Sequence, residues 1–486
     1  MSETDCNRRD FVKIGMGAAA VAALPQILKA QQAPALAKGA YYRANETVRV
    51  ACVGYSDRFR GSLLPCFLHH NKELKFDLVA VADLWKKRLN EKAVPEIEKK
   101  LGHKVAAYAS DVALYEQAKD IDAVIISTAD FQHAQHAAHA VNAGKDAYCE
   151  KPLAEDMYSA NLLKDAVDAK RAAGFAPGAV LQIGSQRRSG KKYMAAKEYI
   201  NAGKFGDISY VDLRWNVNQP RRWRRPDDLI KSLKLEDIDW KMWLLDRDPA
   251  KYAFDPRKYL EFRLFWPFSS GTPGQWMCHQ IDTVAWFMGI PYPKSAVSSG
   301  GLYQWADGRM SYDTFTTILE YGESGVKGKG FQCVFQSHQH NCGGGANPNR
   351  ESPIEKYFGP NGCIDMGTGK VTNEGVELKK GQKWQETDLP APKETVVTSA
   401  NTGGDALTSA HMRNWMECVR ARKNPNAPIE AGYSHAIALI MANAAARTGM
   451  RATFCEKERQ VMVNGKPFVG YASTATGGGF FSKLFG

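Results

Sequence analysis

From residue 47 onward the chain alternates short β-rich apolar runs with longer helical stretches, a pattern that a parallel α/β sheet buries on both faces. The first run, 48–53, ends at Gly54, and the turn Gly54-Tyr55-Ser56-Asp57-Arg58-Phe59-Arg60-Gly61 leads into an apolar helical segment. A dinucleotide-binding turn wants glycines at such a junction, because the backbone has to approach a pyrophosphate at the helix N-terminus. Gly54 and Gly61 meet that demand, while Ser56 stands in the place of the second glycine. The fingerprint is incomplete on its own.

The next run, 76–82, ends in Asp83, 22 residues beyond Gly61. A carboxylate there accepts hydrogen bonds from the adenosine ribose hydroxyls, which favours NAD, with NADP as the alternative. Lys86, Lys87 and Arg88 offer charge for a 2′-phosphate, but the solvated face of a helix accounts for them better. A further buried run, 123–127, leads to Thr128-Ala129-Asp130-Phe131-Gln132-His133. Loops after the strand C-termini of an open α/β sheet face the ligand, so Thr128, Asp130 and His133 are expected on the nicotinamide side. Gly54, Ser56, Asp57, Arg58 and Asp83 are the other cofactor contacts expected from this half of the chain.

The first forty residues read as an address. Asn7-Arg8-Arg9-Asp10-Phe11-Val12-Lys13 precedes a weakly apolar run, 14–24, and Ala35-Leu36-Ala37 offers a cleavage site. Basic head, apolar middle and small-residue exit make an export signal, and the arginine pair resembles the twin-arginine type. The expectation is a signal at 1–37 handed to the twin-arginine export machinery, and a periplasmic or otherwise exported location. That route carries folded proteins, so a cofactor can be bound before crossing. Spanning a bilayer takes about 20 apolar residues, and this run is shorter, so no stable membrane insertion is expected. The net charge of +12 suits anionic ligands, yet no nucleic-acid-binding module accompanies it. The ten cysteines show no CxxC pair and no Cys/His metal spacing, so no metal site is expected. Cys333 and Cys342 are candidates for a disulfide in an oxidising compartment.

The most specific motif is Ala143-Gly144-Lys145-Asp146-Ala147-Tyr148-Cys149-Glu150-Lys151-Pro152-Leu153-Ala154. It resembles the segment that marks the Gfo/Idh/MocA oxidoreductases, the family of glucose–fructose oxidoreductase and inositol dehydrogenase. The likeness continues at 181–188, 201–206, 271–282 and 411–415, and so spans about residues 47–460. It implies a linker or arm (38–46), an NAD(P)-binding Rossmann domain (47–174), then an α/β domain (175–465) with a large open, mostly antiparallel sheet. A flexible tail (466–486) follows. Strands are expected at 209–216, 314–321 and 331–338, and helices at 411–422 and 434–447 that pack back toward the first domain. The resemblance further implies a homo-oligomer, dimer or tetramer, with the catalytic cleft between the domains.

Oxidising a secondary alcohol moves a hydride to a nicotinamide and a proton to a base. The resemblance gives that work to Lys151 and His279, with Glu150 and Lys151 also beside the cofactor. An ammonium at Lys151 holds the reacting hydroxyl, and a cationic nicotinamide lowers its pKa. Pro152 fixes the backbone there, a cis bond being one way to do so. His279 titrates near neutrality, and Asp282, one helical turn on, is placed to orient it. Gln186, Arg187, Gln275 and Asp282 are the expected substrate contacts. Gln275 departs from the family pattern, in which many members carry an aspartate there, and a glutamine takes no proton.

Three functions remain open at this point. The first is an exported NAD(P)-dependent oxidoreductase acting on a hydroxyl of a sugar, cyclitol or glycoside. The second is NAD-dependent glycoside cleavage by transient oxidation, elimination and re-reduction. The third is a non-catalytic sugar- or cofactor-binding protein. Arg221-Arg222-Trp223-Arg224-Arg225 reads best as a solvated loop, with an anionic sugar or a subunit contact as alternatives. His338 and His340 share a strand face without a third metal ligand.

Overall fold

The computed structural model describes residues 46–118, 120–174, 178–217, 221–342, 351–375, 380–391 and 405–470. The expected signal at 1–37, all but the last residue of the expected arm, and the tail from 471 lie outside the described residues.

Six parallel strands form the first sheet: β1 (Val48–Val53), β2 (Phe76–Ala82), β3 (Ala106–Tyr108), β4 (Ala123–Ile126), β5 (Asp146–Cys149) and β6 (Leu181–Ile183). Their order is β3-β2-β1-β4-β5-β6. β1 and β4 are buried almost throughout, which is why they read as apolar runs, broken only by the half-exposed Arg49 of β1: central parallel strands are covered on both faces. The order in which strands are added reverses at β1, with β2 on one side and β4 on the other. The crevice outside the strand ends at such a switch point is where an open α/β sheet takes its ligand. β6 comes from beyond residue 174, so this sheet continues past the boundary expected from sequence. Its helices include α1 (Leu64–Leu74), α2 (Asp111–Gln117), α3 (His133–Asn142) and α4 (Met157–Ala172).

Eleven strands form the second sheet: β7 (Tyr210–Val217), β8 (Ser295–Gly301), β9 (Thr314–Gly322), β10 (Gly330–His338), β11 (Glu351–Gly359), β12 (Gly362–Asp365), β13 (Lys370–Thr372), β14 (Glu386–Asp388), β15 (Ala452–Cys455), β16 (Gln460–Val463) and β17 (Lys466–Pro467). The order is β14-β13-β12-β11-β7-β10-β9-β8-β15-β16-β17, antiparallel except where β7 meets β10. Buried and half-exposed residues alternate along β9 and β10, the mark of one covered face. The three strands expected here are β7, β9 and β10, each within a residue of its expected bounds.

Three long helices join the sheets. α5 (Cys278–Met288) lies against the second, where Gln280 Nε2 donates to the Ile354 carbonyl at 2.7 Å. α6 (Ala406–Ala421) returns to the first domain, burying Met412, Trp415 and Met416 in one core with β1 and β2. α7 (Ile429–Thr448) is apolar on every side and buried along most of its length, as a helix wedged between layers must be. α6 and α7 begin five residues before the starts expected from sequence. Asp405 caps α6 by accepting the Thr408 N–H at 2.7 Å, and Pro428 precedes α7. Cys333 is a free buried thiol, so the candidate disulfide with Cys342 is not made. Among the described residues no helix is long and apolar enough to cross a membrane.

Candidate active site

A cavity of about 790 Å³ opens outside the C-terminal ends of β1, β2, β4 and β5 and reaches α5. Cofactor and substrate clefts fall in the range of about 300–1,000 Å³. Of the residues singled out in sequence, it gathers Gly54, Ser56, Asp57, Arg58, Asp83, Thr128, His133, Glu150, Lys151, Gln186, Gln275 and His279. Asp130, Arg187 and Asp282 lie outside it.

The first turn shows why one glycine is needed and the other is not. Gly54 sits at φ +86°, and a Cβ there would come within 2.8 Å of Thr128 Cγ2. A Cβ at Gly61 would meet nothing within 4 Å, so packing does not demand a glycine there. Ser56 replaces the second glycine with a hydroxyl that accepts the Phe59 N–H at 3.2 Å and lies 3.0 Å from Ser127 Oγ. Arg58 is no loose phosphate ligand: its Nε donates to Glu150 at 2.9 Å. Burial pushes the Glu150 carboxyl up, but the charges of Arg58 and Lys151 prevail and hold it below the usual range. Asp57 pairs with Arg225 at 2.8 Å.

Asp83 ends β2 and is clamped from several sides. It accepts the Tyr55 and Trp85 N–H groups at 2.9 Å, and Arg88 binds it in a fork at 2.9 and 3.0 Å. Arg88 also donates to Tyr259 Oη at 3.0 Å. The solvated helix face expected for Arg88 is thus incorrect: a buried carboxylate one turn upstream captures the guanidinium.

Lys151 follows β5, and its bond to Pro152 is cis. Its Nζ donates to the Gln275 carbonyl at 2.9 Å. Gln275 lies in the wide π turn Pro273–Met277, a form that frees carbonyls from regular i+4 pairing and recurs at functional sites. The Gln275 side chain donates to Asp130 Oδ2 at 2.6 Å, which also accepts from Ser269 at 2.6 Å. Asp130 is therefore not a cofactor contact. It is fully buried, paired with Arg263, and anchors the turn that holds Lys151.

His279 opens onto the cleft from the first turn of α5, with Trp215 packed on its ring at 5.6 Å. Burial, and then the cationic Lys151 and Arg187, push its pKa well below the usual value, so the ring is neutral near pH 7. Asp282 does not orient it and touches no substrate space. Arg188 holds that carboxylate in a bidentate pair at 2.9–3.1 Å, behind the cleft wall. Arg187 is likewise diverted from the substrate role expected of it. Its guanidinium is buried against Glu355 and lies over the rings of Tyr193 and Trp215, bracing Trp215 from behind.

The Arg221–Arg225 segment is not simply a solvated loop. Arg222 and Arg225 line the cleft, Trp223 stacks on Trp276 at 5.4 Å, and Arg224 donates to the buried Glu261 at 2.9 Å. Trp215, Trp276, Arg222 and Arg263 join the site without having been singled out as site residues. Arg222 lies in the basic run 221–225 and Trp276 in the family-like segment 271–282; Trp215 and Arg263 carry no local pattern. His338 and His340 stack on each other at 4.5 Å and are not among the cleft residues.

The cleft suits a large polar cofactor. Trp85 Nε1, Thr128 Oγ1, His133 Nε2 and Gln186 Oε1 are buried there without partners among the described residues, and such atoms call for a ligand that completes them. His133 Nδ1 is tied to the Pro152 carbonyl at 2.8 Å, which fixes the ring with Nε2 available. Gly54 and the switch-point crevice are what NAD requires, whereas the Asp83 carboxylate, with both oxygens already accepting twice, is not open to the ribose hydroxyls expected of it.

Two family models match: "Oxidoreductase family, NAD-binding Rossmann fold" over residues 48–175, and "Oxidoreductase family, C-terminal alpha/beta domain" over 248–454. The chain belongs to the Gfo/Idh/MocA oxidoreductase family. Inositol 2-dehydrogenase of Salmonella typhimurium is 33% identical over 131 residues, 27% of this chain and 37% of that protein. Inositol 2-dehydrogenase of Cereibacter sphaeroides is 30% identical over 146 residues, 29% of this chain and 42% of that protein. The chain thus spans about two fifths of the length of these curated relatives. Among solved structures, a levoglucosan dehydrogenase in complex with NADH and levoglucosan aligns with TM-score 0.58 and 15% identity, over 84% of this chain and 99% of that one. Myo-inositol 2-dehydrogenase from Lactobacillus plantarum aligns with TM-score 0.56 and 17% identity, over 84% and 99%. These likenesses extend the Gfo/Idh/MocA fold to nearly the whole described chain.

Proposed function

We propose that this Gfo/Idh/MocA protein is an NAD-dependent oxidoreductase that moves a hydride between nicotinamide and a CH–OH carbon of a sugar, cyclitol or glycoside. The observation that carries the reading is the convergence of Lys151, held by the Gln275 carbonyl, and a neutral His279 on one cleft at the dinucleotide switch point. When bound, NAD supplies the hydride acceptor. Thr128 and His133 would offer their unpartnered atoms to the cofactor. Lys151 donates from Nζ to the reacting oxygen, and the neutral imidazole of His279 takes the hydroxyl proton. Gln275 does not exchange a proton; its carbonyl aims Lys151 and its amide locks onto Asp130. Trp215 and Trp276 supply flat apolar faces of the kind on which sugar rings stack.

The segment from Arg221 to Phe268 closes one side of the cleft through Arg225–Asp57 and Arg88–Tyr259, which supports a cofactor retained between turnovers. Export through the twin-arginine route rests on residues 7–13 and 35–37, and assembly into a homo-oligomer on the half-exposed face of the eleven-stranded sheet. The test is mass spectrometry of protein purified without added nucleotide, then a panel of sugars, polyols and glycosides scored for nicotinamide reduction and for glycosidic release. Reduction by a polyol or sugar supports the proposal. Glycosidic release without net reduction would replace it with the cleavage reaction, and no bound or binding dinucleotide would refute both.

A further inference from the structure

Asp111, His136 and His139 form a buried cluster that the hydride chemistry does not use. Asp111 opens α2, just after Ser110, whose side chain caps that helix by accepting the Ala113 N–H at 3.1 Å. His136 and His139 lie three residues apart on α3, so both rings leave the same face. Their Nδ1 atoms converge on a single carboxylate oxygen, Asp111 Oδ2, at 2.7 and 2.8 Å. The three residues are 3–4% exposed, and their potential ligand atoms all lie within 4.8 Å of one another.

The partners of this deep carboxylate among the described residues are two imidazoles, with no lysine or arginine. Asp246, whose Oδ1 is buried and unpartnered, lies in the field of His139 and adds a second carboxyl to the neighbourhood. His136 Nε2 is also buried without a partner among the described residues. Asp111 and His136 are among the residues lining the cleft, which gives an ion a route to the cluster.

We propose that Asp111, His136 and His139 bind one divalent cation of the zinc class. Two imidazole nitrogens and one carboxylate oxygen suit zinc, cobalt or nickel, and not magnesium or calcium, which prefer all-oxygen sets. Binding displaces the proton from each Nδ1, either to Nε2 of the same ring or to solvent. The N–O separations widen from 2.7–2.8 Å to about 3.3 Å, the spacing of ligands about 2.0 Å from a tetrahedral ion. The ion ties α2 to α3 and keeps its fourth position toward the cleft for water.

The test uses the tag-free full chain, stripped with chelator and dialysed against micromolar zinc, with metal counted by mass spectrometry. About one ion per chain is expected, falling about tenfold or more in Asp111→Asn and in His139→Gln. Cobalt substitution provides a readout in the unmutated protein: visible bands of a four-coordinate site, with two imidazoles counted by X-ray absorption. Stoichiometric zinc that persists in both variants, a cobalt spectrum without imidazole ligands, or an unmutated chain that returns from dialysis without metal would each overturn the proposal.

Discussion

Asp282→Asn should weaken the fold and leave the chemistry alone. The carboxylate accepts three hydrogen bonds from Arg188 at 2.9, 3.0 and 3.1 Å, and the side chains are 1% and 11% exposed. Neutralising Asp282 strands the Arg188 charge in a low-dielectric wall, and breaking a buried pair costs about 3–5 kcal/mol. Asparagine keeps the shape and one acceptor oxygen, so the loss belongs at the lower end, about 3 kcal/mol. Urea denaturation of variant and unmutated protein measures it, beside pH profiles of kcat/KM for each. The midpoint is expected to fall while the profiles superimpose. A stability change under about 1 kcal/mol, together with a moved acid limb, would mean that Asp282 does orient His279.

Gly61→Ala and Gly54→Ala should diverge. The first adds a methyl in open space on a helix and is expected to raise stability by about 0.5–1 kcal/mol. The second drives a Cβ toward Thr128 at positive φ and should lower both stability and NAD affinity, read by denaturation and by nucleotide titration. His411 and His435 are pushed down to about 4 by burial, so the unfolded chain, with histidines near 6.5, binds protons first as the pH drops. Their stabilisation is complete above pH 6.5 and drains away toward pH 4, about 3 kcal/mol each, visible as falling urea midpoints. The depressed His279 places the acid limb of kcat/KM below pH 6.5, and an acid limb centred above neutrality would remove it as the base.

The fold was readable because its signals are local. β4 is an uninterrupted apolar run and β1 is broken only by Arg49, and the Glu150-Lys151-Pro152 segment ends a strand as its motif implies. The partners of charged side chains were not readable. Asp282 lies three residues from His279, yet Arg188, 94 positions away, holds it; Asp130 looked ligand-facing in its loop, and Gln275 and Ser269 turn it inward. Arg88 looked solvated because sequence shows helix periodicity and not the buried carboxylate beside it. Local spacing sets which face a residue occupies; which distant charge reaches it depends on how the two domains close.

Stopped-flow absorbance of the reduced nicotinamide, on protein saturated with NAD and mixed with the best substrate of the panel, tests the hydride site most directly. Unmutated protein should reduce its cofactor within one turnover, while Lys151→Ala binds NAD comparably and slows reduction by about 10²–10⁴-fold. Reduction at the unmutated rate in Lys151→Ala, with NAD bound, would place the chemistry elsewhere than beside Glu150-Lys151-Pro152.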